Sequence, residues 1–234
     1  MKKLEKIFLL NVLLYIDSLE SVKKFIGINK KCHEVSTMVR LYTKRKLKDT
    51  NYTNIIPENL FTIFPMIQTI ECDLDDLFIY PEIMEKVTFI RLKQTNYRNM
   101  EELRYSYEDN VDEISEDIKN KVISIKCSRY SHIPSVCSFR NCRVLSVYLF
   151  HLSEQIEDIK KFQLDKLFIY NEGCDTRDVM WDEVKEIENT KEKNLILLYN
   201  FANVKYYKIL KEEMKEYFDT VSFNSIYKYD LIIN

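Results

Sequence analysis

The chain has 234 residues, 46% of them hydrophobic, and a formal charge of −2 from 35 basic and 37 acidic side chains. Its two glycines, Gly27 and Gly173, exclude a Walker A loop or a dinucleotide fingerprint, each of which needs several glycines where backbone approaches phosphate. The balanced charge lacks the basic excess of nucleic-acid binders, so no nucleic-acid partner is expected.

Residues 4–48 read as helices. Lys2, Lys3 and Lys6 before the apolar run Ile7–Ile16 give the outline of a signal peptide, with Asn51-Tyr52-Thr53 as a glycosylation acceptor. Against secretion, no small-residue cleavage site follows, Asn11 interrupts the run, and the apolar pattern continues past it at helical spacing. Leu9, Leu10, Leu13, Leu14 and Ile16 make one helical face. Asp17 or Ser18 can cap a second helix by accepting a free amide of its first turn. That helix places Leu19, Val22, Phe25, Ile26 and Ile28 on one face, with Gly27 as a close-packing point or an irregularity. A third piece carries Val35, Met38, Val39 and Leu41. The run Lys44-Arg45-Lys46-Leu47-Lys48 reads as the solvated end of a helix, with phosphate or targeting contacts as the alternative.

From Pro57 onward a short pattern keeps returning. An aliphatic residue is followed three places on by another, and two places later by Leu, Ile, Val or Cys. It appears as Ile67-x-x-Ile70-x-Cys72, Val87-x-x-Ile90-x-Leu92, Val122-x-x-Ile125-x-Cys127, Cys142-x-x-Leu145-x-Val147 and Leu164-x-x-Leu167-x-Ile169. A weaker copy is Leu195-x-x-Leu198, and a further strand is expected near Val221–Ile226. Recurrence at roughly 20–50 residues marks a solenoid, an architecture that presents a surface. The gaps have room for a turn and a short helix, as at Asp76–Glu85 and Ser153–Phe162. The longer acidic insert Tyr97–Lys121 carries a helix from Ser115. Trp181, Val184 and Ile187 form a buried helix face, and Lys205–Phe218 an amphipathic helix. Residues from about 200 read as a C-terminal cap over the last open layer.

Three of the six cysteines, Cys72, Cys127 and Cys142, fall on apolar positions of the repeat, as small buried hydrophobes do in a reducing compartment. A cytoplasmic or nuclear location is expected. Cys127, His132, Cys137 and Cys142 offer a zinc alternative, but their spacing lacks the close ligand pairs of such sites. Core packing is the preferred reading, with no metal and no cofactor. No stretch approaches the ~20 apolar residues of a spanning helix. His33 is adjacent to Cys32 on a helix, so their side chains diverge. No G-x-S-x-G, H-E-x-x-H or Cys–His signature is present, so the chain is not expected to be an enzyme.

The repeat resembles the L-x-x-L-x-L core of leucine-rich repeats over residues 57–230. Thr95, Tyr130, Phe150 and Glu172 stand where that family places Asn or Cys, so the repeats are degenerate. Residues 9–42 resemble an F-box. The matching strings are Leu13 to Val22 and Ile28 to Val35, with Ile28, Lys30 and Cys32 in the V, K and W places of V-C-K-x-W and no Leu-Pro opening. The resemblance implies an α/β fold: a leucine-rich-repeat solenoid, with parallel strands on the concave face and short helices outside, behind an N-terminal helical F-box-like segment. The expected domains are residues 1–48, an F-box-like segment or N-terminal cap, and 49–234, about six or seven degenerate repeats with the C-terminal cap. It also implies a protein-interaction function, a substrate-recruiting adaptor of a cullin-type ubiquitin ligase. The alternative is a repeat scaffold with no ligase link. Leu10, Leu13, Leu14 and Ile16 would bind the small adaptor protein of the ligase, or else cap the open end of the solenoid.

Strand parity selects the face that would hold a target. Residues two apart share a face, so with the fourth and sixth positions inward, the third, fifth and seventh point outward. These are Phe89, Arg91 and Lys93, then Ser124, Lys126 and Ser128, then Val144, Ser146 and Tyr148, and Lys166, Phe168 and Tyr170. The ladder mixes cations with aromatics, as interface hot spots do. The expected target-binding residues are Arg91, Lys93, Lys126, Tyr148, Phe168 and Tyr170, which suit an acidic protein segment.

Overall fold

A computed structural model describes residues 5–16, 18–43, 56, 59–93, 111, 113–127, 138–148, 152–172, 184–199 and 211–225. The basic run 44–48, the triplet at 51–53, Pro57, Ser128, His132, Cys137, His151, Cys174, Trp181 and residues 205–210 lie outside them, as does most of the acidic insert. The chain divides into two compact units, residues 1–91 and 92–234.

The first unit opens with α1 (Lys6–Tyr15), α2 (Leu19–Gly27) and α3 (Lys30–Ser36). Two side-chain caps set the helix starts. Ser18 Oγ accepts from the Ser21 amide at 3.2 Å, and Asn29 Oδ1 accepts from the Cys32 amide at 3.0 Å. Each satisfies a first-turn donor that has no partner inside the helix. Helices α1 and α2 both pack against α3, and Leu13, Leu19, Val22, Phe25, Cys32 and Val35 are buried. Lys6 of α1 pairs with Glu34 of α3 at 2.8 Å. The hydrogen bond from Lys6 holds the Glu34 carboxyl below its usual range.

Three sequence expectations change here. Ile28 is 66% exposed, so the buried face of α2 stops at Phe25. Gly27 has open space where a Cβ would stand; it ends α2 and is no close-packing point. The third helix also stops sooner than expected. Leu41 belongs to a strand, β1 (Leu41–Thr43), and Val39 and Tyr42 are buried.

After β1 come α4 (Leu60–Ile63), β2 (Thr69–Cys72), α5 (Leu74–Ile79), α6 (Pro81–Lys86) and β3 (Phe89–Lys93), which straddles the unit boundary. Helix α5 starts at a capping box, in which the Asp73 amide donates to Asp76 Oδ2 at 2.7 Å. Pro81 opens α6, where its missing N–H costs nothing.

The second unit holds α7 (Glu116–Lys121), capped by Ser115, then β4 (Val122–Lys126), β5 (Val144–Tyr148), α8 (Leu152–Ile159), β6 (Leu164–Glu172), β7 (Thr190–Tyr199) and β8 (Thr220–Ser225). Residues 211–214 are helical. Strand order is chain order, β1-β2-β3 in the first unit and β4 to β8 in the second. The described pairings, β1·β2, β4·β5, β5·β6, β6·β7 and β7·β8, are all parallel. Parallel neighbours need a crossover between them; α4 stands between β1 and β2, and α8 between β5 and β6.

One backbone device recurs at the strand starts. The Arg40 carbonyl accepts from the amides of Gln68 and Thr69, Gln68 from Thr88 and Phe89, and Arg143 from Asp165 and Lys166. In each case the acceptor is the residue after the first apolar position of a repeat. An arginine there adds a second tie: Arg40 Nη1 donates to the Met66 carbonyl at 3.3 Å, and Arg143 Nη1 to the Gln163 carbonyl at 3.0 Å. Both carbonyls stand just before the first position of the following repeat.

The repeat positions fill the interior as expected. Ile67, Ile70, Cys72, Val87, Ile90, Leu92, Val122, Ile125, Cys127, Cys142, Leu145, Val147, Leu164, Leu167 and Ile169 are all buried. The copy written from Leu195 is out of register. Ile169 pairs with Leu195 and Leu167 with Lys193, so Leu195 takes the sixth place and Lys193 the fourth. In β8, Val221 pairs with Leu195 and is buried.

Candidate interaction surfaces

Helix α1 has the sequence KIFLLNVLLY, apolar on nearly every side, so the face expected from Leu9, Leu10, Leu13, Leu14 and Ile16 has no polar border to fix its limits. Packing against α3 decides it. Leu13 is fully buried. At about 100° per residue, Leu9 and Leu10 flank it, and both are half-buried. The opposite face is open: Ile7 is 51% exposed, Phe8 55%, Val12 50%, Leu14 51% and Tyr15 89%. Those five side chains and Asn11 share one side of the helix. A surface helix ordinarily turns polar groups to water, and an apolar patch of this kind marks an interaction site.

The four residues expected to meet an adaptor therefore part company. Leu14 lies on the open face, Leu10 and Ile16 are half-buried, and Leu13 is interior. The open face adds Ile7, Phe8, Val12 and Tyr15, which sequence reasoning had not selected. The available signal was the lack of any polar side to the helix.

The second surface is the outward ladder. Register places Ser124 beside Val144 and Lys126 beside Ser146, then Ser146 beside Phe168 and Tyr148 beside Tyr170. Phe168 lies beside Asn194, and Tyr170 beside Ile196. Lys126, Tyr148, Phe168 and Tyr170 are thus brought together on one face of the second unit. The Tyr148 and Tyr170 rings stack with centroids 5.4 Å apart, and Lys126 Nζ lies 5.9 Å from the Tyr170 centroid. Phe168 and Ile196 pack against the pair.

Both tyrosines are buried, at 7% and 8% exposure. This corrects their expected role as open anchors for a target. They form a small apolar core on the outward face, with Ser146 and Asn194 buried beside them. Asn194 Oδ1 accepts from the Thr220 hydroxyl, and Lys166 pairs with Glu192 at 2.9 Å. Phe168 and Lys126 keep partial access, and Arg91, on β3, is exposed. Lys93, also on β3, is half-buried.

The described cysteines Cys32, Cys72, Cys127 and Cys142 are buried free thiols. Burial pushes the Cys127 thiol up to about 12 and the Cys142 thiol likewise to about 12. Among the described residues no three His, Cys, Asp or Glu side chains gather as metal ligands, and no helix is long and apolar enough to cross a membrane. Comparison with protein-family models, curated proteins and solved structures finds no match.

Proposed function

We propose that this chain is a protein-interaction module that recruits a target protein to a cullin-type ubiquitin ligase. In this reading α1–α3 form an F-box-like segment, and the parallel strands with their short crossovers form a degenerate leucine-rich-repeat solenoid that carries the target. One observation supports the adaptor half above all: the open face of α1, where Ile7, Phe8, Val12, Leu14 and Tyr15 are each half or more exposed. Fully burying such a side chain is worth roughly 1.5–3 kcal/mol. Covering several that are already half-covered suffices for a stable complex once association costs are met. The target half rests, within the second unit, on Lys93, Lys126 and the accessible part of Phe168, which suit an acidic segment with an apolar anchor; Arg91 is a separate candidate on the first unit.

The second reading is a repeat scaffold with no ligase link, in which residues 1–48 only cap the repeats. It draws on the burial of Leu13 and on the short link from α3 into β1. The two readings separate in a pull-down of the purified chain with the source organism's cullin adaptor. Capture by wild type, and its loss in Phe8→Asp/Val12→Asp with an unchanged circular-dichroism spectrum, is the outcome expected of the ligase reading. No capture by folded wild type leaves the scaffold.

A further inference from the structure

A cavity of about 260 Å³ in the second unit is lined by Arg140, Arg143, Lys161, Phe162 and Gln163. Of these described lining residues three are cations and none is an acid. They come from two successive turns: Arg140 and Arg143 from the one leading into β5, and Lys161, Phe162 and Gln163 from the one leading into β6. Phe162 is buried and gives the site an apolar wall.

The cations are held differently. Arg143 is fixed by its bond to the Gln163 carbonyl at 3.0 Å, which uses one of the five donors of a guanidinium. Lys161 pairs with Asp158 at 2.7 Å, and both side chains are well exposed, so the pair is weak. The Arg140 guanidinium makes no hydrogen bond or ion pair among the described residues. Asp165, which feels the charge of Arg143, is already engaged: Lys191 binds it at 2.7 Å and, with a smaller contribution from Arg143, holds it below its usual range. Among the described residues, setting Asp158 against Lys161 and Asp165 against Lys191 leaves the two arginine charges and a surplus of N–H donors.

We propose that this pocket binds a phosphate-class oxyanion. A phosphomonoester carries a charge of about −1.5 to −2 and three acceptor oxygens, matching the two arginines and their many donors. Planar arginine forks suit phosphate bidentately. The cavity has room for the phosphate and part of the group that carries it. The site does not depend on the ligase reading.

The test is calorimetric titration of the full chain, in chloride buffer, with inorganic phosphate and with N-acetyl-phosphoserine amide. Arg140→Gln/Lys161→Gln is the variant, because it leaves intact the Arg143–Gln163 bond that ties one turn to the next. Wild type is expected to bind at least one ligand, and the variant to bind about tenfold or more weakly, as loss of charge-assisted hydrogen bonds predicts. Tighter binding of the phosphoserine derivative identifies a phosphorylated side chain as the source, and equal or tighter binding of phosphate identifies the free ion. Absence of binding by wild type, or equal binding by the folded variant, overturns the proposal.

Discussion

Tyr148 stacks on Tyr170, with an interplanar angle of 28° and ring centroids 5.4 Å apart, on the sheet face opposite Leu145 and Leu167. A stacked pair on an open strand surface would leave room for a ligand. Here both rings are buried, so their contribution is to stability. Tyr170→Ala is expected to cost about 3 kcal/mol in denaturant unfolding, as large-to-small changes at buried aromatics do. A double-mutant cycle with Tyr148→Ala should show coupling of about 0.5–1.5 kcal/mol. Losses within about 0.5 kcal/mol for the single variants would place both rings on an ordinary solvated surface.

Leu13 and Phe8 lie on the same helix with opposite fates. Leu13→Glu puts a carboxylate into a fully buried site and is expected to cost roughly 4 kcal/mol or more. Phe8→Asp, at a half-exposed position, should stay within about 0.5 kcal/mol. Thermal unfolding of the two variants checks this. Equal losses would mean that α1 is packed on both sides.

The interior of the repeats was legible because its chemistry is periodic. Aliphatic or cysteine side chains hold the first, fourth and sixth positions from β2 to β6, and each is buried. The pattern failed at the ends, for a physical reason. In β1 the fourth place is Tyr42, large and buried, reached from Val39 three residues earlier; an aliphatic template passes over it. In β7 the fourth place is Lys193, whose stem enters while Nζ donates to the Val184 carbonyl at 2.9 Å. Desolvation lowers its pKa, opposed by the charges of Asp219 and Glu188. A lysine can line such a position by reaching out with its head, and hydrophobic periodicity does not register it.

The outward ladder was legible in direction but not in exposure. Parity placed Lys126, Tyr148, Phe168 and Tyr170 on one face, and the register agrees. Which members stay open depends on what packs over them, and alternation along a strand carries no such information. Likewise the apolar residues of α1 run around the helix, so the expected face of Leu9, Leu10, Leu13, Leu14 and Ile16 took in Leu14, which is exposed, and packing against α3 selects Leu13. The cation pocket was hidden for a different reason: Arg140, Arg143 and Lys161 belong to successive turns, whose stacking brings distant residues together.

Cys127 and Cys142 give a prediction in pH. Their folded thiols are pushed up to about 12 by burial, whereas an unfolded thiol ionises near about 8.5. The folded state therefore keeps protons that the unfolded state releases. Their contribution to stability is full below the unfolded value and is lost as pH rises through the folded one. Between about pH 9 and 12, wild type should lose stability faster than Cys127→Ala/Cys142→Val. At pH 8, iodoacetamide should modify both cysteines only when the chain is unfolded, read by peptide mass mapping. Rapid labelling of either in the native protein would contradict its burial.

Asn171 supplies the last prediction. It is 0% exposed and stands two residues beyond Ile169, on the inward parity of β6. Its register partner in β7 is Leu197. Among the described residues, neither its Nδ2 nor its Oδ1 finds a hydrogen-bond partner. An unsatisfied buried amide carries its full desolvation cost, whereas an apolar group of similar shape at the same place does not. Asn171→Leu is nearly isosteric and is expected to raise stability by about 1 kcal/mol, read as a higher urea midpoint with an unchanged m-value. Asn171→Ala should gain less, because the removed amide leaves a void. A loss of stability in the leucine variant, together with slower exchange of a side-chain amide proton in wild type, would show that the asparagine is hydrogen-bonded in solution.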